Sequence, residues 1–238
     1  MEFPKLVKLF ITSMKQGNDE ADLKKWINKK ANSGITAIHY ASYRGNISVI
    51  KILIENGADV NDLNNEGLNV LHMASQGNRT NSLIYFYEKY KLDMMAVDYV
   101  NSTPLHWASY VGAEDSFSYL ITLKIDINFQ DKEGLTPLHL AVISERTRIV
   151  KKLIHLGADK NIRDKSNRTP LDLAIKKNKK NIEQLLNSNR CCKLCTIKVP
   201  LEKLEKSNQN IIFFILIHII LEFFTFFAIL PCKKFNKK

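Results

Sequence analysis

The chain has 238 residues, 45% of them hydrophobic, and a formal net charge of +11. This length requires no more than one elongated domain with appended segments. The positive charge raises nucleic acid as a partner, but the basic residues are dispersed, and the sequence shows neither a basic stripe interleaved with aromatic residues nor a nucleic-acid-binding motif. We therefore expect other partners, since a positive charge beside a hydrophobic segment fits an anionic membrane surface at least as well.

Residues 1–30 contain two stretches with the apolar spacing of amphipathic helices, separated by a turn at 16–18: Leu6, Leu9 and Phe10 in the first, and Leu23, Trp26 and Ile27 in the second. Glu2 interrupts the basic start that a secretory signal requires, so we expect no signal peptide. The two stretches predict a capping unit that shields whatever follows.

A six-residue motif then recurs five times within residues 31–188, and its last positions are 33, 34, 33 and 33 residues apart. The copies begin at Gly34, Gly67, Asn101, Gly134 and Asn167. A period held this closely is the signature of a solenoid, in which each unit buries its apolar face against its neighbours.

Each copy has the chemistry of a tight turn followed by a capped helix. Glycine or asparagine in the first position suits a positive φ. The third position is an N-cap residue in every copy: Thr36, Asn69, Thr103, Thr136 and Thr169. Proline follows in the last three copies, at 104, 137 and 170, where a helix tolerates it. A second segment with helical apolar spacing comes after each motif, so the fold class predicted is all-α.

The end of the second helix in each unit also has a signature. Gly57 and Gly157 supply the left-handed residue that commonly terminates a helix. The matching positions of the middle repeats hold Lys91 and Lys124, each of which should cost about 1 kcal/mol relative to glycine. We expect these middle repeats to be the less stable ones.

The motif resembles the ankyrin repeat, whose Thr-Pro-Leu-His core is present unchanged at 103–106 and 136–139. The resemblance implies an all-α solenoid of about five repeats with an N-terminal cap, and a role in protein–protein recognition. In such arrays the first helix and the preceding turn line a concave groove. That places six residues in a peptide-binding site: Tyr40, Tyr43, Met73, Gln76, Trp107 and Tyr110. Alternatively, these side chains only cover neighbouring repeats.

The histidines and cysteines are the residues to weigh as metal ligands. Four motif histidines, at 39, 72, 106 and 139, lie one repeat apart and cannot converge on one ion, so we expect them to bond backbone groups. Cys191, Cys192 and Cys195 lack the fourth ligand that zinc requires, because Cys232 lies beyond the apolar segment at 211–230. Reversible palmitoylation of the three is one alternative and free thiols in a reducing cytosol the other. We expect no metal, no cofactor and no catalytic residue, since phosphate loops, nucleophile elbows and paired carboxylates are also missing from the sequence.

Residues 211–230 predict a single transmembrane helix, because seventeen of the twenty are apolar and about 30 Å of bilayer core can be crossed at about 1.5 Å per residue. Residues 189–210 would be a basic juxtamembrane linker and 231–238 a basic tail. His218 and Glu222 share one helix face, either as an internal pair or as a contact with other membrane helices. Without a signal peptide the repeats would face the cytosol, in an endomembrane such as the ER or Golgi.

This layout is similar to that of ankyrin-repeat palmitoyltransferases of the Asp-His-His-Cys type, and residues 101–108 resemble one of their middle repeats. The family's motif tryptophan helps to hold substrate peptides, which implies that role for Trp107. An asparagine of the family's groove falls on Gly77, so the peptide specificity should differ. The chain has no Asp-His-His-Cys motif, so we expect no acyl transfer. Two hypotheses remain, the substrate-recruiting region of such an enzyme and a complete tail-anchored adaptor.

Overall fold

The computed structural model describes residues 3–17 and 19–188, and these ranges form twelve α-helices without a β-strand. The helices are α1 (Phe3–Gly17), α2 (Glu20–Ile27), α3 (Ala37–Arg44), α4 (Ile47–Glu55), α5 (Val70–Gln76), α6 (Thr80–Tyr90), α7 (Pro104–Val111), α8 (Glu114–Thr122), α9 (Pro137–Ile143), α10 (Thr147–His155), α11 (Pro170–Lys176) and α12 (Lys180–Asn187). The first pair is the predicted cap, and the remaining five pairs are the predicted repeats.

The repeats stack in two layers. The first helices pack on one another in chain order, from α3 through α5, α7 and α9 to α11, and the second helices from α4 to α12 form a layer against them. The alanine predicted on each first helix is buried in all five copies, with at most 4% of its surface exposed: Ala41, Ala74, Ala108, Ala141 and Ala174. The small side chain lets adjacent first helices approach closely. One apolar core continues from Ile11 in the cap to Leu186 in α12.

The predicted caps are confirmed. Each first helix begins after its Thr or Asn in extended conformation, and the side chain three residues later accepts a bond from the N-cap backbone. The turns between repeats are joined along the stack by backbone hydrogen bonds, such as Tyr99 N–H to the Glu66 carbonyl at 3.0 Å and Lys132 N–H to the Val100 carbonyl at 2.8 Å. These bonds fix the spacing of the turns.

The helix ends of the middle repeats and the apolar residues of the cap can both be compared with the sequence pattern. Lys91 and Lys124 adopt the positive φ expected of their positions, at 53° and 55°. In the cap, Leu6, Leu9 and Phe10 are 59%, 67% and 50% exposed. Ile11 is the buried residue of α1, and Val7 and Met14 pack partly buried against the same core.

Three predicted segments lie outside the described residues: the linker (189–210) with its three cysteines, the transmembrane helix (211–230) with His218 and Glu222, and the tail (231–238). Among the residues described, no helix is both long and apolar enough to cross a bilayer.

Candidate peptide-binding site

The turn before α7 is organised around one buried carboxylate. Asp98 is 5% exposed, and its Oδ1 accepts bonds from the backbone N–H groups of Val100 at 3.0 Å and Ser102 at 2.8 Å. Its Oδ2 accepts from the indole Nε1–H of Trp107 at 2.9 Å. The carboxylate therefore shapes the turn with one oxygen and orients the tryptophan with the other.

The same turn position carries Asn64, Asp131 and Asp164 in other repeats, and each accepts backbone N–H bonds within its own turn. The sequence motif does not include these residues. Their regular spacing could have indicated a role in the turn, because each lies three residues before the glycine or asparagine that begins a motif copy. Among them, only the Asp98 carboxylate is bonded to an indole N–H, since the other repeats have no tryptophan in the Trp107 position.

Trp107 is half-buried and its ring contacts that of Tyr110, with centroids 6.3 Å apart at 85°. Because the indole N–H is already bonded to Asp98, a ligand can contact only the apolar surface of this ring. Tyr110 is 44% exposed. The edge-to-face pair thus offers an aromatic surface next to an exposed phenol, an arrangement that suits aliphatic side chains of a bound peptide.

Two further exposed apolar residues lie in the turn that Asp98 shapes. Tyr99 and Val100 directly follow Asp98 and are 57% and 52% exposed, where other repeats place polar pairs such as Lys132 and Glu133. Neither is among the predicted site residues, although an apolar pair at an otherwise polar turn tip was a readable signal. We call Tyr99, Val100, Trp107 and Tyr110 the third-repeat patch.

The other predicted site residues divide by position on the first helix. The position four after the motif histidine is open to solvent, with Tyr43 39% exposed and Gln76 half-buried. Met73 is only 6% exposed, so its side chain packs between repeats instead of presenting surface to a ligand. Tyr40 is 55% exposed, but it faces a separate groove at the N-terminal end of the array.

Gly77 has a steric reason to be glycine. A Cβ atom there would lie 2.0 Å from the carbonyl oxygen of Tyr43, far inside van der Waals contact. Its φ of −74° is ordinary, so space and not backbone conformation excludes a side chain. The asparagine that palmitoyltransferases carry at this point therefore cannot be accommodated without a shift between α3 and α5.

The motif histidines bond backbone groups, as predicted. Each directs Nε2–H to a carbonyl oxygen in the next turn: Asp62 at 3.0 Å, Ser102 at 3.1 Å, Leu135 at 3.2 Å and Arg168 at 3.3 Å. Burial lowers the pKa of His72 and of His106 to about 4, against the opposing effect of these carbonyl bonds. The residues described contain no cluster of His, Cys, Asp or Glu that could hold a metal ion.

Comparison with known proteins agrees with this geometry. A model described as "Ankyrin repeats (3 copies)" matches residues 82–164 and 105–196, and one described as "Ankyrin repeats (many copies)" matches residues 9–54 and 38–86. The chain belongs to the ankyrin-repeat proteins. The ankyrin repeat is a non-catalytic fold that binds protein partners, so the array is a protein-interaction module.

The similar proteins include members of two groups. Palmitoyltransferase Hip14 of Drosophila melanogaster is 36% identical over 80 residues, and palmitoyltransferase AKR1 of Lachancea kluyveri is 35% identical over 92 residues. These matches cover 34% and 37% of this chain but only 12% of each palmitoyltransferase. The human Notch-regulated ankyrin repeat-containing protein is 26% identical over 98 residues, which cover 37% of this chain and 85% of that protein.

Proposed function

We propose that the ankyrin array captures extended segments of cytosolic proteins, with the third-repeat patch as the main anchor. The observation that carries this proposal is the Trp107–Asp98 bond, which holds an aromatic ring at a fixed orientation beside the exposed Tyr110. Rigid aromatic side chains are the commonest dominant contacts at protein interfaces. The equivalent positions of the two preceding repeats hold the exposed Tyr43 and the half-buried Gln76.

A displayed library of random, unstructured peptides tests this function even while the natural partner is unidentified. Selected peptides should lose about 2 kcal/mol, or roughly thirty-fold in affinity, on Trp107→Ala. Tyr87→Ala is the matched control, because Tyr87 is an aromatic residue that is 39% exposed and lies on α6, outside the third-repeat patch. Peptides whose affinity survives Trp107→Ala in the folded protein would contradict the proposal.

We further propose that the array is held at a membrane by residues 211–230 and faces the cytosol, in an endomembrane such as the ER or Golgi. The support is the apolar composition of this segment, with His218 and Glu222 available for contacts with other membrane helices and with Cys191, Cys192 and Cys195 as lipidation sites nearby. Release of the full chain by carbonate extraction would contradict anchoring. Protection of an N-terminal tag from added protease would contradict the orientation.

The similarity to Hip14 and AKR1 favours a role as the substrate-recruiting region of a palmitoyltransferase. In this role the array would bind substrates and would not itself catalyse acyl transfer. The alternative is an ankyrin adaptor unrelated to palmitoylation. It is favoured by the human Notch-regulated ankyrin repeat-containing protein, of which 85% aligns with this chain. Testing whether the selected peptides occur in proteins palmitoylated on a nearby cysteine discriminates the two roles. The purified chain itself should not transfer palmitate from palmitoyl-CoA.

A further inference from the structure

An apolar groove of about 1240 Å³ lies at the N-terminal end of the array, between the cap and α3. Its lining includes Leu6, Leu9, Phe10, Trp26, Ala37 and Tyr40. The rings of Phe10 and Trp26 lie 5.0 Å apart, and both residues are at least 40% exposed. Trp107 and Tyr110 take no part in this groove, so it is a surface separate from the third-repeat patch.

The groove exists because the cap does not stack as a repeat does. In later repeats the first residue of the first helix is buried under the preceding unit, as Val70, Pro104, Pro137 and Pro170 show. The equivalent Ala37 is exposed. The reason is that α1 packs chiefly on α4 and α2, whereas the internal first helices pack on one another. The outer face of α3 is therefore left without the helix that covers its counterparts.

We propose that this groove binds one amphipathic helix of a partner protein, with an apolar face of small and branched residues and acidic residues beside it. Shape supports a helix, because Ala37, which lines the groove on α3, is both small and exposed. A small residue at this point allows helix axes to come within about 8–10 Å.

Charge supports an acidic partner. Arg44 is the one charged side chain among the described residues that line the groove. Helix α1, which forms one wall, carries Lys5, Lys8 and Lys15 and no acidic residue, and on α2 Glu20 and Asp22 are balanced by Lys24 and Lys25. A helix with glutamates along the edges of its apolar face would meet Arg44 on one side of the groove and the lysine-bearing α1 on the other, whereas a second copy of α1 would be repelled.

The test uses the full chain with Trp107→Phe, which leaves Trp26 as its single tryptophan, in phosphatidylcholine nanodiscs if it needs a bilayer. The probe is a synthetic sixteen-residue helical peptide with leucine and alanine on one face and glutamate on the other, titrated to about 1 mM. We expect a saturable blue shift of Trp26 emission and at least about tenfold weaker binding on Leu9→Glu. Ile175→Glu, at another exposed apolar position on α11, is the matched control and should leave binding unchanged.

Leu9 is 67% exposed, so Leu9→Glu should fold, and Leu6→Glu at 59% exposure provides a second variant. The absence of a saturable shift up to about 1 mM would overturn the proposal. Equal binding of a peptide with lysine in place of glutamate would overturn the charge argument that selects the partner. A shift with vesicles of phosphatidylcholine and phosphatidylserine, but not with the peptide, would show that the cap contacts membrane and would also overturn it.

Discussion

The indole N–H of Trp107 and the buried carboxylate of Asp98 are joined by a 2.9 Å hydrogen bond. Asp98 belongs to the turn and Trp107 to α7, so this bond connects the element that shapes the third repeat with the residue that we propose as its peptide anchor. The second carboxylate oxygen bonds the backbone of the turn. Fold and site therefore depend on different atoms of one side chain, and substitutions can separate them.

Asp98→Ala should lower the free energy of unfolding by about 2–3 kcal/mol, because it leaves the backbone N–H of Ser102 buried without its acceptor. Asp98→Asn keeps an oxygen for the turn, as Asn64 does in the preceding repeat, and should cost less than about 1 kcal/mol. Its amide N–H would face the indole N–H, so peptide affinity should fall while stability holds. Urea unfolding of residues 1–188 and peptide titration measure the two effects, and equal stability loss in both variants would contradict this division.

Gly77→Asn should destabilise the array by about 1–3 kcal/mol and should not restore the groove of the palmitoyltransferases, because the added Cβ meets the Tyr43 carbonyl oxygen at 2.0 Å. Gly157→Asn is the matched control. It has open space around the new Cβ, and although its φ is +83°, asparagine tolerates the left-handed region better than most residues. A melting temperature that falls equally in both variants would mean that the contact with Tyr43 is not the cause.

Local chemistry makes most of the array predictable, because each repeat contains its own turn, cap and alanine stripe. The left-handed Lys91 is predictable for this reason. The burial of some positions depends on a neighbour that local pattern does not specify. Met73 is covered in the stacked array, whereas Leu6 and Leu9 stay exposed because α1 packs chiefly on α4 and α2. Spacing predicts that a helix has an apolar face, but the packing of the next unit decides whether that face is buried.

Lys91→Gly should raise the free energy of unfolding by about 1 kcal/mol, because the lysine is held at a φ of 53° and glycine adopts this conformation without a steric penalty. Lys89→Gly is the matched control. It lies two residues earlier inside α6, where glycine should instead cost about 1 kcal/mol. Urea unfolding of residues 1–188 compares the two, and a loss of stability in both variants would contradict the role assigned to the left-handed position.

Acid should destabilise the array through its motif histidines. His72 and His106 have pKa values lowered by burial from 6.5 to about 4, so the unfolded chain binds protons more tightly than the folded one. Their stabilising contribution is complete above pH 6.5 and is lost as the pH falls toward 4. At pH 5 the loss should be on the order of 2 kcal/mol for each histidine.

The structural reason for this acid sensitivity is visible at His106. Its Nδ1 accepts the backbone N–H of Thr103 at 3.2 Å, while its Nε2–H donates to the Leu135 carbonyl. A proton on Nδ1 would therefore point at the Thr103 N–H and break that hydrogen bond. Urea unfolding at about pH 7.5 and about pH 5 measures the effect in residues 1–188. His106→Asn should be less stable than the unmodified array at the higher pH yet lose less stability between the two pH values, because one titrating group has been removed. An unchanged pH dependence in this variant would assign the acid sensitivity to other groups.

The last repeat has Asp172 in place of this histidine, and its carboxylate accepts the Thr169 N–H at 2.8 Å without needing a carbonyl from a further repeat. In the four earlier copies of the motif, the histidine reaches such a carbonyl through its Nε2–H.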